Sequence, residues 1–90
     1  MSALPEESRL DGNAVAGLMM EIFGREMTLA TGVCGSCGAE ALLAEVHVYR
    51  RAPGTVVRCQ ACEAVLLRVV EAPGRMWVDL SGLATLELKH

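Results

Sequence analysis

Four cysteines are the residues of this chain whose type and spacing could do chemistry. Cys34 and Cys37 form one C-x-x-C pair, and Cys59 and Cys62 form a second pair after the 21 residues from 38 to 58. Two residues between cysteines let both sulfurs of one tight turn point at a single ion, and four thiolates suit tetrahedral zinc at about 2.3 Å per bond. The sequence therefore predicts one structural zinc ion whose four positions are all filled by Cys34, Cys37, Cys59 and Cys62, with no catalytic residue and no enzymatic activity.

Two other chemistries fit the same cysteines. A rubredoxin-like iron also takes four tetrahedral thiolates, although aromatic residues usually surround it and this chain has only one each of Trp, Tyr and Phe. A thiol redox function is the other, because C-x-x-C also occurs in thioredoxin-like proteins. There the motif opens a helix, whereas here Gly38 and a strand-like segment follow Cys37. Zinc remains the leading interpretation, with iron and thiol redox chemistry as alternatives.

The size of the chain explains why it would need a metal. A domain of 90 residues buries only roughly 60 to 65% of the surface of its unfolded chain. Hydrophobic residues make up 52% of the sequence, but most are Ala, Val and Leu, so the core must be built from small aliphatic groups. We expect the metal-free protein to be largely unfolded or molten.

The elements that must position the cysteines follow from hydrophobic periodicity. Residues 1–10 mix Pro5 with polar groups, which predicts a flexible N-terminus, and residues 11–90 are predicted to form a single zinc-ribbon-like domain. Apolar residues at helical spacing predict one amphipathic helix over residues 13–23, with Asp11 or Asn13 as its N-cap and Gly24 as its end.

After residue 27 the apolar period approaches two, which indicates β-strands. Strands are expected at residues 42–49, 55–59, 64–72, 76–80 and 83–88. The third of these is apolar on both faces except for Arg68 and Glu71, and is therefore expected to be central in its sheet or covered on both faces. The predicted fold class is α+β, with an N-terminal helix packed on a small antiparallel zinc-ribbon-type β-sheet.

Charge and the N-terminal sequence limit the partners and the location. The net charge is −3, which is unlike a protein that binds nucleic acid through overall positive charge. The first ten residues lack the basic start and apolar run of a secretory signal, and apolar stretches are too short to span a bilayer, so a cytoplasmic location without membrane contact is expected. No small-molecule substrate is indicated.

Arginines near a predicted hairpin tip give a second functional hypothesis. Arg50, Arg51 and Arg58 could contact nucleic acid, as in a transcription-associated zinc ribbon, or could simply keep the surface soluble. Apolar groups on both faces of the predicted strands exceed what one helix can cover, which indicates a protein partner or a homodimer. Protein binding is the leading prediction, and nucleic-acid binding is the alternative.

Four sequence blocks carry a resemblance to a known family. They are Leu10-Asp-Gly-Asn-Ala14, Cys34-x-x-Cys37-Gly38, Val57-Arg-Cys59-x-x-Cys62 and Leu80-Ser-Gly82. With these blocks the chain resembles a family of short bacterial zinc-ribbon-like proteins, a domain of unknown function, over nearly its whole length. The resemblance implies a metal-binding role for the four cysteines and no particular activity.

Overall fold

A computed structural model describes residues 10–51 and 54–88. One helix and two antiparallel sheets make up this part of the chain, which confirms the predicted α+β class with an N-terminal helix on antiparallel β-structure. The elements are β1 (Leu10–Asp11), α1 (Ala16–Phe23), β2 (Thr31–Cys34), β3 (Glu40–Leu42), β4 (His47–Arg51), β5 (Gly54–Arg58), β6 (Val65–Ala72), β7 (Arg75–Asp79) and β8 (Leu83–Glu87). Short 3-10 helices precede α1 at Gly12–Val15 and lie between β3 and β4 at Leu43–Glu45.

The predicted helix is present, but its first turn is tighter than an α-helix. The Asp11 side chain accepts a hydrogen bond from the backbone N–H of Asn13, 3.1 Å away, and so caps the 3-10 helix from which α1 continues. Gly24 ends α1 in the left-handed conformation, with φ at 72°, and its N–H donates to the carbonyl oxygen of Met20. The predicted end at Gly24 is therefore confirmed, whereas Asp11 caps the 3-10 helix and not α1 itself, which begins only at Ala16.

The β-structure divides into two sheets where the sequence predicted one. The larger sheet has five strands in the order β1-β4-β5-β6-β7, and the smaller has three in the order β3-β2-β8. Strand β6 lies between β5 and β7, which confirms its predicted central position. The predicted strand over residues 42–49 is wrong in its middle, because Leu43–Glu45 forms a 3-10 turn that sends β3 to one sheet and β4 to the other.

Helix α1 and the preceding turn cover one face of the five-stranded sheet. Their buried side chains share a single core with buried residues from β4, β5 and β6. The largest fully buried side chains in it are Met19, Met27, Leu67, Val48, Val57 and Val69. This core is aliphatic, as the composition predicts, and Cys34 and Cys59 belong to it.

Residues 1–9, 52, 53, 89 and 90 lie outside the described part of the chain. The predicted flexible N-terminus falls on this part except for Leu10, which pairs with Val48 as the first residue of β1. Among the described residues, no helix is long and apolar enough to cross a membrane.

Candidate metal centre

The four cysteines come together where the two sheets meet. Cys34 is the last residue of β2 in the three-stranded sheet, and Cys59 directly follows β5 in the five-stranded sheet. All four sulfurs lie within 4.8 Å of one another. Each sheet thus supplies one C-x-x-C pair, and the cluster lies between them.

The distances fit an ion and not a disulfide. Cys34 Sγ is 3.7 Å from Cys62 Sγ, and Cys37 Sγ is 3.7 Å from Cys59 Sγ. A disulfide needs about 2.05 Å between its sulfurs. Tetrahedral ligation with bonds of about 2.3 Å places sulfurs about 3.8 Å apart. The cluster therefore has the donor set and the size of a four-thiolate metal site.

Each C-x-x-C pair lies in a tight turn, and the two turns are built alike. In the first cysteine turn (residues 34–38) the N–H of Gly38 donates to the carbonyl oxygen of Cys34, and in the second cysteine turn (residues 59–63) the N–H of Glu63 donates to that of Cys59, both at 2.9 Å. Backbone N–H groups also point at the first sulfur of each turn, from Ser36 and Ala61 at 3.3 Å. Such donors stabilise a thiolate.

The backbone N–H donors change the pKa of a cysteine thiol in each turn. The N–H groups of Cys37 and Ser36 lower the pKa of Cys34 to about 6. In the second turn the N–H of Ala64 lowers the pKa of Cys62, but desolvation and the three neighbouring thiols together raise it to about 12. Four thiols this close cannot all ionise without a cation between them, so the cluster is suited to hold a metal ion.

The sulfurs differ in their access to solvent. Cys34 and Cys59, the first cysteine of each turn, are buried, whereas Cys37 and Cys62 are exposed. One side of the cluster is therefore closed by the aliphatic core, and the other side faces water.

The two turns differ at their last residue. Gly38 has φ of 80°, which glycine adopts without strain, but the corresponding Glu63 has φ of 66° and is the one non-glycine residue with positive φ in the described part of the chain. Side chains hold Glu63 in place: Tyr49 Oη donates to its Oε1 at 3.0 Å, Arg58 Nη1 donates to its carbonyl oxygen at 2.8 Å, and His47 Nδ1 contacts its Oε2. These contacts compensate for the backbone strain beside the second pair of cysteines.

We expect Glu63→Ala to destabilise the metal-loaded protein more than Glu63→Gly does, by about 1 kcal/mol. Both substitutions remove the carboxylate contacts, but only alanine keeps the strain of positive φ. Urea unfolding of the two variants measures the difference. Glu40 in strand β3 supplies the control, because glycine should be the less stable substitution there. If Glu63→Gly is the less stable variant at position 63, Glu63 is not strained.

The other sequence-predicted residues lie elsewhere. Arg50 Nη1 donates to the carbonyl oxygen of Ala14 at 3.2 Å, so this side chain contacts its own chain. The Arg58 guanidinium lies 5.8 Å from the centre of the Tyr49 ring in addition to its bond to Glu63. Arg51 is the last residue of β4, and its side chain is outside the described structure. The contacts of Arg50 and Arg58 thus connect parts of the fold near β4 and β5.

Sequence reasoning did not identify Glu63 and Gly82 as supports of the site. Gly82 lies between the sheets: its N–H donates to the carbonyl oxygen of Leu66 in β6 at 3.1 Å, and its carbonyl oxygen accepts from the N–H of Gly35 at 2.8 Å. A Cβ on Gly82 would lie 1.8 Å from the carbonyl oxygen of Val65. The only signal in the sequence was the Leu80-Ser-Gly82 block, whose role depends on contacts that are distant along the chain.

The comparisons with known proteins give a family without an activity. The model of a family of unknown function, DUF6510, matches residues 6–90. No curated protein and no solved structure matches the chain. The match confirms the resemblance to a domain of unknown function and assigns no activity to it.

Proposed function

We propose that this chain, which belongs to DUF6510, a family of unknown function, is a non-enzymatic binding module. One structural zinc ion held by its cysteine cluster stabilises the module, and its partner is a protein. The observation that carries the first half of this proposal is the position of the cluster. Four sulfurs within 4.8 Å of one another connect the three-stranded sheet to the five-stranded sheet. An ion held there fastens the two sheets together.

The donor set supports a structural rather than a catalytic role. Structural zinc sites are closed by four protein ligands, whereas catalytic sites keep one position for water or substrate. Here four cysteines would fill every position. When bound, the zinc would supply cross-linking and charge neutralisation, and the backbone N–H groups of both cysteine turns would orient the sulfurs toward it.

Exposed apolar side chains support a protein partner. Trp77 is 53% exposed, and Val70, its partner across the β6–β7 hairpin, is exposed on the same face of the sheet. Met76 and Val78 are exposed on the opposite face, and Leu80 directly after the hairpin. Exposed apolar side chains concentrated on one element are typical of interaction surfaces in soluble proteins. Nucleic-acid binding is less well supported, because Arg50 and Arg58 already donate to carbonyl oxygens of this chain. With a protein partner we expect a cytoplasmic location, which suits reduced cysteines.

Metal analysis combined with native mass spectrometry tests the zinc proposal. We expect one zinc per chain and four thiols that react with a thiol reagent only after a chelator is added. A red protein containing iron would favour the rubredoxin-like alternative, and metal-free thiols that cycle with a disulfide would favour the redox alternative. Binding of single-stranded or duplex DNA or RNA that weakens steeply with salt would favour the nucleic-acid alternative.

A further inference from the structure

Strand β7 forms an open edge of the five-stranded sheet. It is the last strand in the order β1-β4-β5-β6-β7, so within residues 10–51 and 54–88 one side of its backbone has no strand beside it. Every residue from 71 to 78 is exposed. Natural proteins usually protect such an edge with charged side chains, proline or a bulge. Strand β7, with the sequence Arg-Met-Trp-Val-Asp, is charged only at its two ends, and its three central residues have no charge, no proline and no shift in their register with β6.

The hairpin turn determines which backbone groups of β7 face outward. Ala72 pairs with Arg75 across the two-residue turn at Pro73-Gly74. The pair that closes such a turn is hydrogen-bonded, and pairs alternate between hydrogen-bonded and non-hydrogen-bonded along an antiparallel ladder. Trp77 and Asp79 therefore bond inward to β6. The N–H and C=O groups of Met76 and Val78 point to the open edge.

We propose that β7 is a docking edge for a second copy of this chain, paired antiparallel about Trp77 so that the two five-stranded sheets become continuous. This inference rests on the proposed protein-binding function and names its partner. In this register Met76 of one copy lies opposite Val78 of the other. Both residues have outward-facing backbone groups, so the two copies exchange about four backbone hydrogen bonds. Sliding one copy along the other by a single residue would place outward-facing backbone groups opposite inward-facing ones, so that pairing is excluded.

Charge selects this register among those that the backbone permits. Pairing about Trp77 places Arg75 of each copy opposite Asp79 of the other, at both ends of the strand. The neighbouring pairings that keep the backbone hydrogen bonds have the two-fold axis at Met76 or at Val78. They would place Trp77 opposite Arg75 or Asp79, which are both charged. Asp79 is ionised, because the Arg68 guanidinium, 2.8 Å away, and the N–H of Ser81 hold the pKa of its carboxyl well below its usual range. The two copies thus meet with opposite charges at each end.

Trp77 lies at the centre of the proposed interface. Its partner across the two-fold axis is Trp77 of the other copy, in a non-hydrogen-bonded pair, where side chains approach most closely. Aromatic residues at the centre of an interface often dominate its binding energy. The exposure of Trp77 in the single chain, 53%, is then explained by the partner that covers it.

Sedimentation and light scattering on the zinc-loaded chain test the proposal. We expect a dimer, twice the 9.6 kDa of the chain, that dissociates on dilution. Because Trp77 is the only tryptophan, its fluorescence should shift to longer wavelength as the dimer dissociates. Met76→Pro, which removes an outward N–H, should leave only monomer. The control Met20→Glu, at an exposed position on α1, should leave the dimer unchanged.

Charge exchange distinguishes this pairing from any other contact. Arg75→Asp and Asp79→Arg should each weaken self-association at least about tenfold, because like charges then face each other at both ends. An equal mixture of the two variants should restore dimers, since each end again pairs opposite charges. Zinc content and melting temperature of each variant show that it is folded.

A zinc-loaded chain that stays monomeric at several hundred micromolar overturns the docking proposal and leaves the zinc proposal standing. So does a dimer that both Met76→Pro and Arg75→Asp leave intact. The zinc proposal fails on a different result, a chain that folds equally well without metal, whatever its oligomeric state.

Discussion

Stripping the metal with a strong chelator is expected to leave a chain that is largely unfolded or molten. Structural zinc binding contributes an apparent ~10 to 16 kcal/mol in small finger peptides at neutral pH, as much as or more than the ~5 to 15 kcal/mol by which whole domains are stable. Without the ion, the four sulfurs are no longer bonded to a common centre. The backbone N–H groups still favour a thiolate at Cys34, but no cation then lies beside it. Both effects act where the two sheets join.

Circular dichroism, limited proteolysis and urea unfolding measure this loss. Cys59→Ser should behave like the stripped wild type, because Cys59 is 1% exposed and carries one quarter of the ligand set. Ser36→Ala is the matched control, since Ser36 lies exposed in the first cysteine turn and donates only its backbone N–H to a sulfur. Addition of zinc should restore the fold of stripped wild type but not of Cys59→Ser. A cooperative unfolding curve that is the same with and without metal would contradict this account.

The second large effect is expected at Gly82. Gly82→Ala places a Cβ 1.8 Å from the carbonyl oxygen of Val65 and 2.8 Å from the Cα of Leu66, both in strand β6. Backbone cannot yield as a flexible side chain can, so the two sheets must move apart. We expect a loss of at least about 3 kcal/mol and weaker zinc binding, because Gly35, which donates a hydrogen bond to Gly82, belongs to the first cysteine turn.

Gly17→Ala is the control of opposite sign. Gly17 lies inside α1, and a Cβ there would meet nothing within 4 Å. Alanine should therefore stabilise the protein by about 1 kcal/mol through helix propensity alone. The same measurement, urea unfolding of the zinc-loaded variants, applies to both. If Gly82→Ala is as stable as wild type, the sheets are not packed as closely at this point as the contact of Gly82 with Val65 indicates.

The local features of the fold could be predicted from the sequence. The helix and its end at Gly24, the strand β6 and each C-x-x-C pair depend on residues close together in the chain. Hydrophobic periodicity, capping groups and turn residues report on such short distances. These features are found where the sequence placed them, within a few residues.

The features that were missed depend on contacts between distant segments. Residues 42–49 alternate as a strand should, but the N–H groups of Leu43 and Ala44 donate to the carbonyl oxygens of Ala30 and Thr28, each at 2.9 Å. The Glu45 side chain also accepts from the N–H of Leu42 at 3.1 Å. These bonds replace a strand ladder with a turn, and nothing in the alternation signals them.

Gly12 is another residue whose role depends on a contact with a distant segment of the chain. It fits against the carbonyl oxygen of Leu43, where a Cβ would lie 1.4 Å away. In the sequence it stands between Asp11 and Asn13, the two predicted N-cap residues. Its contact with the turn between β3 and β4 becomes visible only when residues about thirty positions apart are brought together.

The pairing of β2 with β8 also sets an order of events during synthesis. Thr31 lies opposite Glu87, so the three-stranded sheet closes across most of the described chain. All four cysteines leave the ribosome before β8 does. Contacts between distant segments form slowly, because the intervening chain must first be ordered. We expect the nascent protein to capture its ion first and to add β8 last, so that closing the three-stranded sheet onto the finished cysteine cluster is the slow step by which newly made molecules mature.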